Sequence, residues 1–154
     1  MPKRRDAIRM SDDELWAFID AQKTVQVATL GRDGAPHLVP LWFAVDDRTI
    51  VLETFTRSQK VRNLERDPRI TLLFEDGETY PELRGASIQA KAELVRDVDA
   101  VHALHTRVLR RNTPELTDDV IDRVSRGMAA KKTAILVRPG RIVSWDHRKL
   151  GGVY

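Results

Sequence analysis

The segment His37-Leu-Val-Pro-Leu-Trp-Phe-Ala-Val45 holds the longest apolar run of the chain, Leu38 to Val45 with Pro40 counted. Strand alternation puts Leu38, Trp42 and Ala44 on one face and Val39, Leu41, Phe43 and Val45 on the other. A strand with two apolar faces is covered on both. The run is far short of the roughly 20 residues that a membrane helix needs. The chain has 154 residues, the size of one ordinary domain. In so small a unit, one face of this strand is expected to line a barrel interior and the other to meet a partner.

The flanking sequence builds the rest of the sheet. Upstream, Thr24 to Leu30 is β-rich, and Gly31-Arg-Asp-Gly34 is a hairpin turn signal. Before them, Ser11-Asp-Asp-Glu14 forms a capping box for a helix running to about Gln22 through Leu15, Phe18 and Ile19. Downstream, Asp46-Asp47 turns the chain into a strand from Thr49 to Thr54. A helix over Ser58 to Arg66 follows and stops at Asp67-Pro68, because proline disfavours helix in the residue before it. Arg69 to Glu75 and Ser87 to Val95 read as strands. Asp97 to about Arg111 reads as a helix, with Val98, Val101, Leu104 and Val108 inward. Thr117 to Ala130 is a second helix, turned inward through Val120, Val124 and Met128. Thr133 to Arg138 and Arg141 to Trp145 close the chain around Pro139-Gly140. Six or seven strands in mostly antiparallel order, with inserted helices, give a mixed, mainly β class and a small barrel. Residues 1–10 read as a basic tail and residues 11–154 as a single domain.

Composition removes whole classes of function. With no cysteine, disulfides, thiolate metal sites and thiol nucleophiles are excluded. No G-x-S-x-G, P-loop or G-x-G-x-x-G occurs. His102 and His105 lie three apart on one helix, and the third candidate ligand, Asp99, points about 120° away from His105, so no metal site is expected. Net charge is +3, and 19 of the 26 basic residues are arginine. Aromatic residues make up only 6% and are not interleaved with the arginines, which argues against a nucleic-acid surface. Arg4-Arg5 is followed by no apolar stretch, so a cytoplasmic protein with no membrane partner is expected.

The chemistry concentrates at Thr54-Phe-Thr-Arg-Ser-Gln-Lys-Val-Arg-Asn63, where a strand ends and a helix begins. The first N–H groups of a helix lack internal partners and carry partial positive charge, so an anion docks there favourably. Thr56 and Ser58 offer hydroxyls, Arg57 a fork for phosphate, and Lys60 a compact charge. Asn63 lies one turn beyond Lys60. The competing reading is a capped, solvated surface helix.

From Lys60-Val-Arg-Asn-Leu-Glu-Arg-Asp-Pro-Arg69 outward, the chain resembles the FMN-binding split β-barrel proteins, the pyridoxamine 5′-phosphate oxidase-like superfamily. Val27-Ala-Thr-Leu30, Gly34-Ala-Pro-His-Leu-Val-Pro-Leu-Trp-Phe43, Thr79-Tyr-Pro-Glu-Leu-Arg-Gly85, Val137-Arg-Pro139 and Ser144-Trp-Asp-His-Arg-Lys-Leu-Gly151 carry the likeness by their order and spacing. The last two blocks are most similar to the actinobacterial branch that uses the deazaflavin coenzyme F-420. The resemblance implies an antiparallel split β-barrel, a homodimer with cofactors in grooves at its interface, and a small-molecule substrate. It places the cofactor phosphate against Thr54, Thr56, Arg57, Ser58, Lys60 and Asn63. It places the cofactor ring along the backbone of Pro40, Leu41 and Trp42, with Tyr80 and the Trp145 to Lys149 segment of the second chain closing the groove. The implied function is an F-420-dependent oxidoreductase that passes a hydride to an electron-poor enone, quinone-like compound or tetrapyrrole. Its proton would come from water or Tyr80, with no side chain singled out as a catalytic acid. The alternatives are an FMN-dependent, pyridoxamine phosphate oxidase-like enzyme and a non-catalytic flavin or deazaflavin carrier.

Overall fold

The computed structural model describes residues 3–152. Its strands are β1 (Val25–Leu30), β2 (Pro36–Leu41), β3 (Phe43–Asp46), β4 (Thr49–Phe55), β5 (Arg69–Asp76), β6 (Arg84–Val95), β7 (Lys132–Val137) and β8 (Arg141–Asp146). Its α-helices are α1 (Arg4–Ala7), α2 (Asp12–Ala21), α3 (Gln59–Arg66), α4 (Val98–Asn112) and α5 (Asp118–Met128). All ladders are antiparallel, in the order β2-β1-β5-β6-β7-β4-β3. β8 pairs with the first half of β6, before β7 takes over that edge at Ala92. The result is the mainly β, antiparallel split barrel with inserted helices that the sequence implied.

The apolar segment from His37 to Val45 forms two strands instead of one. β2 pairs with β1, whereas β3 pairs with β4. Trp42 alone joins them, yet they stand at opposite ends of the sheet order. The chain therefore changes partner at this residue, and the barrel seam lies there. Pro40 is tolerated because β2 is an edge strand, where a missing N–H breaks no ladder. Phe43 is fully buried, and Leu41 and Val45 pack on the same core, so this face lines the barrel as expected. The other face divides in two. Ala44 is covered by Val108 and Leu104 of the chain's own α4, while Leu38 and Trp42 stay 61% and 40% exposed.

The core gathers Leu15, Phe18 and Ile19 of α2 onto Val27, Ile50, Leu52, Leu72, Phe74, Ile88 and Ile135. Phe43 meets Phe74 edge-on at 5.0 Å. The capping box of α2 is complete. Ser11 Oγ accepts from the Glu14 N–H, and Glu14 Oε2 accepts from the Ser11 N–H at 2.7 Å. Arg111 donates to the Asp20 and Gln22 carbonyls at 2.8 and 2.6 Å, which satisfies the C-terminal end of α2 from α4. Of the basic first segment, residues 1–2 lie outside the described residues. Ile8 and Met10 run along β8, with the Asp146 N–H donating to the Ile8 carbonyl at 2.7 Å.

The inward stripe of α5 differs from expectation by one residue. Ile121 and Ser125 are buried, whereas Val124 is 44% exposed. Ser125 takes an inward place because its hydroxyl donates to the His102 carbonyl at 2.9 Å. Val98 of α4 is likewise exposed. No helix among the described residues is long and apolar enough to cross a membrane.

Candidate functional site

β4 delivers the chain to α3 through a tight turn. The Thr56 N–H donates to the Lys131 carbonyl at 3.0 Å and the Ser58 N–H to the Phe55 carbonyl at 2.9 Å. Ser58 stands at the N-cap of α3, but its hydroxyl makes no capping bond to the helix; it accepts from Thr54 Oγ1 at 3.4 Å. The amide end of α3 therefore lacks its usual side-chain acceptor. Thr56, just past the end of β4, shares a hydroxyl–hydroxyl bond of 2.9 Å with Thr133 of β7.

Lys60, in the first turn, reaches back over the opening. Its Nζ donates to Thr54 Oγ1 at 3.0 Å. Burial holds its ammonium below the ordinary lysine value, the like charge of Lys132 adds to this, and Glu53 opposes it. A half-buried ammonium beside an uncapped helix start, with a hydroxyl as its hydrogen-bond partner, is suited to an anion. Arg57, in the turn itself, is exposed.

Asn63 behaves differently from Lys60 despite their shared spacing. It is wholly buried, donating to Thr29 Oγ1 at 3.0 Å and accepting from Gln59 Nε2 at 2.8 Å. Lys60 ties α3 to β4, and Asn63 ties it to β1. Beside α3, a cleft of about 500 Å³ opens toward the β1–β2 turn, lined by Gly31, His37 and Gln59 among others.

The structure brings the β2–β3 junction to this same corner. Phe43 is opposite Leu52, so Trp42 leaves the ladder at the end of β4 that carries Glu53 and Thr54. Pro40 is exposed on the free edge of β2, and Leu41 turns toward the core.

Tyr80, Trp145 and Lys149 form a second group on other elements. The Tyr80 ring packs against His147 with centres 4.5 Å apart and planes tilted by 53°, and the Tyr80 carbonyl meets His147 Nδ1 at 2.9 Å. Trp145 lies across Gly85, where a Cβ would stand only 2.0 Å from the indole. Lys149 Nζ donates to the Arg9 carbonyl at 2.8 Å and pairs with Glu14 at 2.5 Å. This group belongs to the turn before β6 and to the end of β8, while the anion corner belongs to β4 and α3.

Sequence reading missed a buried charged set beneath α4. Lys132 Nζ lies 2.8 Å from Glu53 Oε2, with both side chains only 12% exposed, and 4.2 Å from the centre of the Phe55 ring. His105 Nε2 lies 3.6 Å from Glu53 Oε1. Burial lowers the His105 proton affinity against the pull of Glu53. His102, its neighbour three residues earlier, turns instead to Asp122 at 2.9 Å. The one sequence signal for this set is a carboxylate inside an otherwise apolar strand, Thr49-Ile-Val-Leu-Glu-Thr-Phe55.

Comparison with known proteins gives a consistent result. Residues 11–146 match the family model described as pyridoxamine 5′-phosphate oxidase. A biliverdin reductase of Mycobacterium tuberculosis, dependent on reduced coenzyme F-420, is 32% identical over 120 residues, which span 75% of this chain and 87% of that protein. The crystal structure of a conserved hypothetical protein of Mycobacterium tuberculosis, Rv2991, superposes with a TM-score of 0.90 at 42% identity, covering 99% of this chain and 94% of the other. An F-420 reductase superposes with a TM-score of 0.64 at 24% identity, over 82% of this chain and 93% of the other, a likeness of fold.

Proposed function

The chain belongs to the pyridoxamine 5′-phosphate oxidase family, and from that premise we propose that it is an oxidoreductase working with reduced coenzyme F-420. The observation that carries the reading is the Lys60 ammonium, half-buried at the uncapped start of α3 and bonded to a hydroxyl. The choice of deazaflavin is supported by the relative that uses it. The same relative favours a tetrapyrrole among the electron-poor acceptors, ahead of enones and quinone-like compounds.

When bound, the coenzyme supplies a hydride from its C5. The chain's own residues bind, orient and shield. Lys60, Ser58, Thr56 and the α3 amides hold the phosphate, with Thr54 keeping Lys60 in place. Arg57 adds an exposed charge for an anionic tail. The free edge of β2 at Pro40–Trp42 presents unpaired backbone groups toward a ring. Positioning of ring and acceptor is the main contribution the protein makes to such a transfer. The proton comes from water or from Tyr80.

A second copy of the chain completes the groove. Leu38, Pro40 and Trp42 form an exposed apolar row on the edge strand, and a homodimer covers it. The partner's Tyr80, Trp145 and Lys149 then close the groove over the ring.

Parallel titration of the protein with coenzyme F-420 and with FMN, at physiological salt, tests the reading. Tighter binding of F-420 is expected. Tighter binding of FMN would move the assignment to an FMN-dependent oxidase. Binding of F-420 without oxidation of its reduced form by any acceptor, biliverdin included, would make the protein a carrier.

A further inference from the structure

Trp42 lies outside both of the ladders it joins, and one side chain of α4 holds backbone on both sides of that break. Toward β3, Arg111 Nη1 donates to the Phe43 carbonyl at 3.3 Å, and the guanidinium lies 4.0 Å from the centre of the Phe43 ring. Toward β1, Arg111 Nη2 donates to the Gln22 carbonyl at 2.6 Å. Gln22 leads through Lys23 and Thr24 into Val25, the ladder partner of Leu41. Asn112, buried beside Arg111, donates to the same Phe43 carbonyl at 3.0 Å. None of these partners is a carboxylate. The end of α4 therefore clamps main chain, at the start of β3 and at the entry to β1.

The two clamped places belong to different halves of the split barrel. Lys60 and Thr54 stand on the half that contains β4, and Phe43 is paired with Leu52 of that strand. Pro40 and Leu41 stand on β2, an edge strand whose one ladder partner is β1. β2 and β3 do not pair with each other, so no ladder bond spans the seam. A guanidinium spans it because its N–H donors are fixed in one plane and meet several carbonyls at once. We propose, resting on the reading of the Pro40–Trp42 edge as the ring site, that Arg111 and Asn112 are positioning residues for the cofactor ring. They act through main chain at the β2–β3 junction. By tying the entry of β1 to the start of β3, they align the ring edge on one half with the phosphate corner on the other. A cofactor that reaches both at once depends on that alignment.

The deazaflavin ring is fluorescent, so one titration with coenzyme F-420 reads both affinity and the anisotropy of the bound ring. In Arg111→Lys a compact ammonium replaces the fork and cannot span the carbonyls. A cleft of about 680 Å³ opens beside Arg111, so water reaches the freed carbonyls and the variant is expected to fold. Its affinity for F-420 should fall about tenfold, and the ring bound at saturation should show a lower anisotropy than in the wild type. Lys60→Ala is the contrast: weaker binding, with wild-type anisotropy at saturation, because its ring edge is intact. Circular dichroism and melting temperature on the same samples report folding. A folded Arg111→Lys with wild-type affinity overturns the inference. A fall in affinity with unchanged anisotropy also overturns it, since the loss then lies away from the ring. Should Arg111→Lys fail to fold, Asn112→Ala decides by the same two readings, because it removes the other bond to the Phe43 carbonyl and leaves α2 untouched. In each case the phosphate corner itself stands, provided that Lys60→Ala weakens binding. Failure of the wild type to bind F-420 overturns the cofactor reading and this inference with it.

Discussion

The Asn63 amide donates to the Thr29 hydroxyl across 3.0 Å, and neither residue has appreciable solvent exposure. This bond fixes how α3 sits on β1. Lys60 holds β4 from the same helix, so α3 is tied to both strands. Asn63→Ala leaves the Thr29 hydroxyl and the Gln59 amide without their partner, at a cost of about 1–3 kcal/mol. A fall in melting temperature, with cofactor affinity reduced only in proportion to lost folded protein, is the expected outcome. Chemical denaturation and a binding titration on the same variant check it.

Lys60 should show the reverse pattern. Its charge is held less readily in the folded chain than in the unfolded one, so Lys60→Met should leave neutral-pH stability unchanged or slightly raised. Loss of a charge-assisted bond to a phosphate costs about 1.5–3 kcal/mol, so affinity for coenzyme F-420 should fall by about 10- to 150-fold. Unchanged affinity would remove the corner from the site.

Leu38 on the edge strand β2 and Trp42 just past its end are exposed, while the opposite face of β2 is half-buried. Light scattering at micromolar concentration should give the mass of a dimer. Leu38→Glu should give the mass of a monomer with an unchanged circular dichroism spectrum. A monomeric wild type would leave the groove without its second wall.

Asp67 offers a test of the local electrostatics. Its carboxylate accepts from Arg69 Nε at 3.0 Å and from Arg69 Nη2 at 2.6 Å, which holds its pKa down to about 2. A folded-state value below the unfolded 3.8 means that its contribution is complete above about pH 4 and is lost as pH falls toward 2. Carbon-13 titration of the Asp67 carboxyl should show that midpoint, and Arg69→Ala should return it toward 3.8.

These features were legible in the sequence to different degrees, according to how local their causes are. The capping box of α2 and the stop at Asp67-Pro68 depend on neighbours within four residues, and both appear where the residues place them. The inward stripe of α5 was misread because valine looked like core and serine like surface. A single bond from Ser125 to the backbone of α4 decides otherwise. The break at Trp42 depends on two different partner strands, and no property of the residue itself announces it. The pairing of Glu53 with Lys132 spans 79 positions and follows only from the β4–β7 register. Lys60 and Asn63 look equivalent as a spaced pair, and their division into a half-buried ammonium bonded to β4 and a buried strut on β1 needs the positions of those strands.

The single-residue seam at Trp42 also decides where this chain can accept a change of length. An extra residue at the Gly31–Gly34 turn, out in solvent, would lengthen only a loop. An extra residue at position 42 would have to be absorbed between two strands whose registers are fixed separately by β1 and β4, at the one residue that joins them. The circumference of the barrel is thus held at one point of the chain, and insertions and deletions there should be absent from any set of functional variants selected from a random library.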